Sequence, residues 1–371
     1  MTIATIKPAG TSKTLLSRLC RILGEKGRVR LVRYSSPCLR APHAFALPLD
    51  LKTARRVAVL LPEDPFDALL QMNTVLAVVH LFHRADIVII CECRVAAFFG
   101  HVQGIKEIVT YKIEGRYLFS REFMTLGGIL ALRQFDVCLL LERNPDISLL
   151  HLMVRMSPKV RVGYAGASDY PFLNVRIRAQ GTSVYVPDQN FILAEALGAR
   201  RPAPVRWSVS KQSREEIQLL LREFRIPGDA KLAGIEAGSL AAQCGREWTQ
   251  MLVNTLMRQA GYLWYLYFNS APEQSFLERL VASGIPAFSS LSASRSAALV
   301  QRSSIVISGK AVLFVMAHIL ARPVIGIYEH DDAQRYCKPS PLCMVVPYRG
   351  NPDDRTVRQV SELVGAGSAS G

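Results

Sequence analysis

Apolar residues in this chain cluster into short continuous runs, not alternating ones. Val57–Leu61, Asp86–Cys91, Glu107–Tyr111 and Asp136–Leu141 are each a few residues long and bounded by charged or turn residues. Runs of this kind read as strands buried on both faces, as in parallel sheets. Arg161–Tyr164 reads as one more short strand. Between the runs the period lengthens: Pro65 to about His83, Val95–Val102 and Phe123–Arg133 are predicted helices. Strands that alternate with helices specify parallel βαβ units.

The alternation stops and then restarts. Asp188–Leu197 is a predicted helix ending at Gly198, a C-terminal stop signal. A Pro- and Arg-rich stretch, Arg200–Val205, and a second helix, Arg214–Phe224, follow. From Lys231 a new series begins, with strands at Leu232–Ile235, Tyr262–Phe268, Ile305–Ile307 and Val324–Tyr328. Its predicted helices are Glu247–Ala260, Pro272–Ser283, Ser296–Arg302 and Val312–Ala321, with a small-residue loop expected over Glu236–Gly245. The expected organisation is an N-terminal extension (1–55), a first Rossmann-like domain (56–185), linker helices (186–230), a second Rossmann-like domain (231–345) and a C-terminal helix with a tail (346–371), disordered from Ala366. A ligand is expected in the crevice between the two domains, at the carboxyl ends of the strands.

Charge changes the picture at one end only. The chain of 371 residues carries a net charge of +15, and residues 1–56 hold twelve Lys or Arg against Glu25 and Asp50, a net of +10. Within this segment Leu15, Leu16, Leu19, Ile22 and Leu23 line one stripe of a predicted helix over Thr11–Glu25. A basic amphipathic helix of this type either lies on an anionic membrane surface or packs on the protein's own body. Nucleic acid is a poor match, because only Tyr34 and Phe45 offer rings for base stacking there.

The eight cysteines form no CxxC pair, and no metal ligation is expected; they fit a reducing compartment. With no signal-peptide pattern and no apolar run of about 18 residues, the expectation is a cytoplasmic protein, peripheral at the inner membrane face if the basic helix docks.

Three strand-to-helix loops carry candidate chemistry. In Pro62-Glu-Asp-Pro-Phe-Asp67, Asp64 suits an N-cap, Pro65 the first helical position and Asp67 the third, so local structure alone accounts for all three. In Glu236–Trp248, Gly238 and Ser239 offer amide and hydroxyl donors and Arg246 a cation, a plausible phosphate cradle. Ser308-Gly-Lys310 places a lysine at a helix start, where the dipole disfavours it unless an anion binds or the side chain bends into solvent.

These loops and their strands resemble glycosyltransferase family 9, the lipopolysaccharide heptosyltransferases, over about residues 56–345. Val57–Val75 follows the family's first strand, loop and helix; Gln134-Phe-Asp-Val-Cys-Leu-Leu resembles "YDVVIDL"; Val160-Arg-Val-Gly-Tyr164 resembles "RVGF". Asn190–Gly198 resembles the family's interdomain "L..LGL" helix, Ile235–Ser239 resembles "HPGAS", and Arg246-Glu-Trp248 resembles "KxWP". Ser304–Tyr328 runs without a gap against "DLVIGNDSGPMHLAAALGKPVVALFG". The resemblance implies a GT-B architecture, two Rossmann-like parallel-sheet domains across a cleft, and an inverting transfer of a heptose-like sugar. It implies Asp67 as general base and Gly238, Ser239, Arg246, Glu273, Ser308, Gly309 and Lys310 as nucleotide-sugar contacts, with no metal and no cofactor. The implied partners are a nucleotide-sugar donor such as ADP-heptose and a glycan or lipid-linked acceptor.

The chain departs from the family at two places. Phe66 replaces the glycine before the catalytic aspartate, and Lys310-Ala-Val-Leu-Phe-Val315 replaces Asp-Ser-Gly-Pro-Met-His. The second change motivates an alternative: a catalytically inactive homologue kept as a binding or scaffolding protein.

Overall fold

The computed structural model describes residues 2–5, 27–28, 30, 32, 46–47, 49–112, 119–165, 172–178, 184–202, 207–259, 261–282, 284–350 and 352–369. The helix expected over Thr11–Glu25 lies outside them. The chain divides into two compact units, Met1–Thr182 with Pro187–Ala203, and Ser183–Val186 with Pro204–Gly371.

In the first unit the elements run β1 (Thr2–Thr5), α1 (Leu49–Lys52), β2 (Arg56–Leu60), α2 (Pro65–Leu70), α3 (Met72–Leu81), β3 (Asp86–Glu92), α4 (Cys93–Phe99) and β4 (Ile105–Tyr111). They continue with α5 (Arg121–Ala131), β5 (Val137–Leu140), α6 (Ile147–Arg155), β6 (Val160–Tyr164), β7 (Val175–Ile177) and α7 (Val186–Ala196). The seven strands form one parallel sheet in the order β1-β4-β3-β2-β5-β6-β7. After β1, this is the doubly wound order 3-2-1-4-5-6, and the order reverses between β2 and β5. The strands are the apolar runs: every residue of β5 and β6 is buried, as is β2 after Arg56.

Described residues of the basic N-terminal segment join this unit, Asp50 through an ion pair with Lys159 and two stretches more deeply. Thr2–Thr5 extends the sheet by pairing in parallel with β4, and Val32 is fully buried in the cluster that holds Ala58, Leu60, Leu140 and Phe172. Neither contact was legible, because both lie in a stretch whose charge dominates its pattern. Val32→Ala is expected to destabilise the first unit by roughly 2 kcal/mol, the loss of two buried carbons plus a cavity. Urea titration checks this; an unchanged midpoint would detach the segment from the core.

The predicted helix from Pro65 to about His83 is two helices. At Gln71 the backbone closes on Ala68 O with a tight bond, and the Gln71 amide donates to Leu141 O at 2.6 Å. Arg161 is buried in the same core, donating Nε to Phe172 O at 2.7 Å, and so fixes the chain between β6 and β7.

The second unit runs α8 (Lys211–Glu223), β8 (Leu232–Glu236), α9 (Ala237–Cys244), α10 (Arg246–Leu256), β9 (Leu263–Phe268), α11 (Gln274–Val281), β10 (Ala287–Ser289) and α12 (Ala293–Arg302). Then come β11 (Ser303–Ser308), α13 (Val312–Ile319), β12 (Val324–Glu329), α14 (His330–Tyr336), β13 (Cys343–Tyr348) and α15 (Asp354–Ala369). Its six parallel strands lie in the order β10-β9-β8-β11-β12-β13, again 3-2-1-4-5-6, with the reversal between β8 and β11.

Two expectations are corrected here. The loop expected over Glu236–Gly245 is the helix α9: Ala, Leu and Gln favour helix, and Gly245 ends it at φ +90°. The tail expected to be disordered from Ala366 is helical to Ala369, on a helix anchored by buried Val357, Val360 and Val364. The strands β7, β10 and β13 escape the apolar-run criterion because they are short edge strands or only partly buried. Among the described residues no helix is long and apolar enough to cross a membrane.

Candidate functional site

The carboxyl ends of the two sheets differ in how their helix starts are capped. In the first unit the helices that follow β2, β3, β4 and β5 are each capped by their own side chain. Asp64 accepts from Phe66 N and Asp67 N, Glu92 from Arg94 N, Ser120 from Phe123 N and Asp146 from Ser148 N. Asp67 is thus held on the first turn of α2 by a cap that does not use its own carboxylate, the bond being from its amide at 3.1 Å. It sits half-buried at the strand-order reversal. Glu142, just past β5, is its neighbour there. Burial raises the Glu142 carboxyl above its ordinary range, and the charges of Asp67 and Glu63 add to this. Glu63 accepts from Tyr111 Oη at 3.0 Å at the end of β4. This end of the first sheet therefore carries Glu63, Asp67 and Glu142 together with the Glu92–Arg94 ion pair.

In the second unit the helices after the four central strands β8, β9, β11 and β12 have no side-chain cap. Those after the outer strands β10 and β13 do, from Ser292 and from Asp353, which accepts from Thr356 N at 3.0 Å. Uncapped amides and the positive end of the helix dipole make the central end of this sheet receptive to an anion.

Glu236 occupies the N-cap position of α9 without capping it. Its carboxyl is 1 % exposed and instead accepts from Ser308 Oγ at 2.5 Å, across the reversal between β8 and β11. Burial pushes Glu236 up to about 7, against the pull of the Ser308 hydrogen bond, so its proton is retained to near neutrality. The amides of Gly238 and Ser239 lie on the first turn of α9; the Ser239 hydroxyl turns back to Glu236 O at 3.3 Å.

Lys310 stands exposed between β11 and α13. Its Nζ lies 3.7 Å from Asp332 Oδ2 and 4.5 Å from the centre of the Tyr336 ring. Arg335 approaches the same carboxylate at 3.5 Å. Ser308 and Gly309 are buried directly before it. Of the seven residues expected around a nucleotide-sugar, five are joined here: Ser308, Gly309 and Lys310 meet the segment carrying Gly238 and Ser239 through Glu236 and Gln243. The other two form their own group. Arg246, at the start of α10, pairs with Glu273 at 2.6 Å, before the open start of α11.

Four residues of this arrangement carry no sequence signal that singled them out. Glu142 and Glu236 stand at or just past the ends of buried strands, where a lone acid is the available clue; Gln243 falls in the stretch that reads as a small-residue loop, and Asp332 in one that looks like ordinary surface. Among the described residues no group of His, Cys, Asp and Glu is arranged to hold a metal ion.

Two doubly wound parallel-sheet units in one chain make this a two-domain α/β protein of the GT-B class. Its fold is that of the glycosyltransferase family 9 heptosyltransferases. The chain is similar to a family 9 glycosyl transferase from Veillonella parvula, with a TM-score of 0.72 and 13% identity over 87% of this chain and 99% of that one. It is similar to the ADP-heptose lipopolysaccharide heptosyltransferase II of E. coli, with a TM-score of 0.69 and 16% identity over 85% and 99%. E. coli heptosyltransferase WaaC, solved with ADP, gives a TM-score of 0.62 and 14% identity over 85% and 99%. No family model matches the sequence, and no curated protein matches it.

Proposed function

We propose that this chain is a glycosyltransferase that moves a sugar from a nucleoside-diphosphate donor to an acceptor hydroxyl with inversion. The observation that carries the reading is the contrast between the two sheets: Asp67 and filled helix caps at one, open helix starts and Lys310 at the other. Transfer needs both kinds of chemistry. The Asp67 carboxylate takes the acceptor's proton as its oxygen attacks the sugar's anomeric carbon. The bond from that carbon to the diphosphate breaks, and the leaving charge is met by Lys310 and by the amides that open α9 and α13. Arg246 and Glu273, paired with each other, are proposed to contact the nucleoside end of the donor. An adenosine-diphosphate sugar is the first donor to test, since the WaaC structure of the same fold holds ADP. The +10 charge of residues 1–56 supports a lipid-linked acceptor on an anionic surface at the inner face of the cytoplasmic membrane.

A second reading is favoured by one observation. Ala311 to Val315, which with Lys310 stand in place of the family's polar tip, are all buried, and the Ser308 hydroxyl is turned inward. A binding protein without transferase activity would look the same there.

Calorimetric titration with ADP, UDP, GDP and ADP-heptose separates the readings. Binding of one of them is expected, and Lys310→Ala is expected to weaken it about tenfold, the worth of one charge-assisted hydrogen bond. A folded protein that binds none of them removes the donor site and leaves the binding-protein reading.

A further inference from the structure

Gln243, in the last turn of α9, is joined to three other segments by one amide group. Its Nε2 donates to Ile327 O of β12 and to Tyr348 Oη of β13, each at 3.0 Å. Its Oε1 accepts from the backbone amide of Lys310, also at 3.0 Å. Both amide protons and the carbonyl are used, so the planar group has one orientation that satisfies all three. The chain leaves room for it: a Cβ at Gly309 would lie 2.5 Å from Gln243 Oε1, so the residue before the lysine has to be glycine for this contact to form.

Lys310 is thereby fixed from two sides. Gln243 holds its backbone, while Asp332 and the Tyr336 ring hold its ammonium. Because the Lys310 amide is already bonded to Gln243, what the residue can offer an anion is its ammonium, whose place depends on the height of the 308–310 turn.

We propose that Gln243 is the positioning residue of the diphosphate site: it sets the 308–310 turn against α9 and so aims Lys310 at a diphosphate lying on the open starts of α9 and α13. This rests on the donor reading given under Proposed function. The charge and reach of the lysine then count toward phosphate recognition only while the glutamine clamp is closed.

The test compares nucleoside mono- and diphosphates. Wild-type protein is titrated with ADP, UDP and GDP and with the matching monophosphates, and the gap in affinity between the two forms is the readout. Gln243→Met keeps the side-chain volume and removes the three hydrogen bonds; Gly309→Ala attacks the same contact from the turn. Each is expected to shrink the gap about tenfold, the scale of one lost hydrogen bond to a well-placed group, with monophosphate affinity and melting temperature little changed. Gly309→Ala added to Gln243→Ala is expected to cost nothing further, because the atom it would strike is gone. A general loosening of the fold would weaken both ligand forms alike and lower the melting temperature, and that outcome overturns the proposal. So does a wild-type gap retained in both single variants. Absence of any nucleoside-diphosphate binding by the wild type instead overturns the donor reading, and the positioning role with it.

Discussion

Asp67→Asn is expected to lower turnover by about 10²–10⁴-fold, the usual contribution of a positioned general base, while leaving the protein folded. The two effects separate because of how the residue is held. The cap of α2 is Asp64, whose Oδ1 accepts from the amides of residues 66 and 67, and an asparagine at 67 keeps its amide. The carboxylate of Asp67, in the first turn of α2, favours the helix through the dipole by about 0.3–1 kcal/mol. Asp64→Ala is the matching control: it removes the cap and is expected to cost about 1 kcal/mol of stability without removing the base. Turnover is read as release of the nucleoside diphosphate from the donor that titration identifies. Asp67→Asn with turnover within about threefold of wild type would end the base assignment, whatever the donor site does.

The frame of this fold was legible because its strands are buried on both faces. Runs such as Val57–Leu61 and Val137–Leu141 have to be apolar throughout, and their spacing by helices dictates a parallel sheet. The same rule hides the outer strands, since β7 and β10 are short and half-exposed and so read as loop. The candidate site was legible where it lies in sequence-local loops, as with Asp67 and Lys310. It was not legible where it depends on register between strands. Glu236 and Ser308 are 72 residues apart and meet only because β8 and β11 are neighbours at the reversal of strand order. Gln243 reaches Lys310 only because 237–244 is a helix, and a row of small residues there reads equally well as a flexible loop.

Glu236→Gln is expected to remove a pH dependence from the stability of the second unit. Folded, this carboxyl holds its proton to about pH 7; its ordinary value is 4.5. Between those values the folded chain binds more protons than the unfolded one, so stability falls as pH rises through the window. Below it neither state is charged and nothing is lost; above it the full cost of a buried carboxylate remains. The span corresponds to roughly 3 kcal/mol at 1.36 kcal/mol per pH unit. Glutamine keeps an oxygen to accept from Ser308 and cannot ionise, so the variant's advantage over wild type should grow by about that amount from pH 4.5 to pH 8. Thermal or urea unfolding of both proteins at the two pH values measures it. The change in the difference is the test, because any fixed cost of the amide cancels. Parallel pH profiles in the two proteins would show that Glu236 does not titrate in this range. The same substitution bears on function: a carboxylate forming at the start of α9 would oppose an anion there, so nucleoside-diphosphate affinity in the wild type should weaken above pH 7 relative to the glutamine variant, in which the ligand's own titration is unchanged.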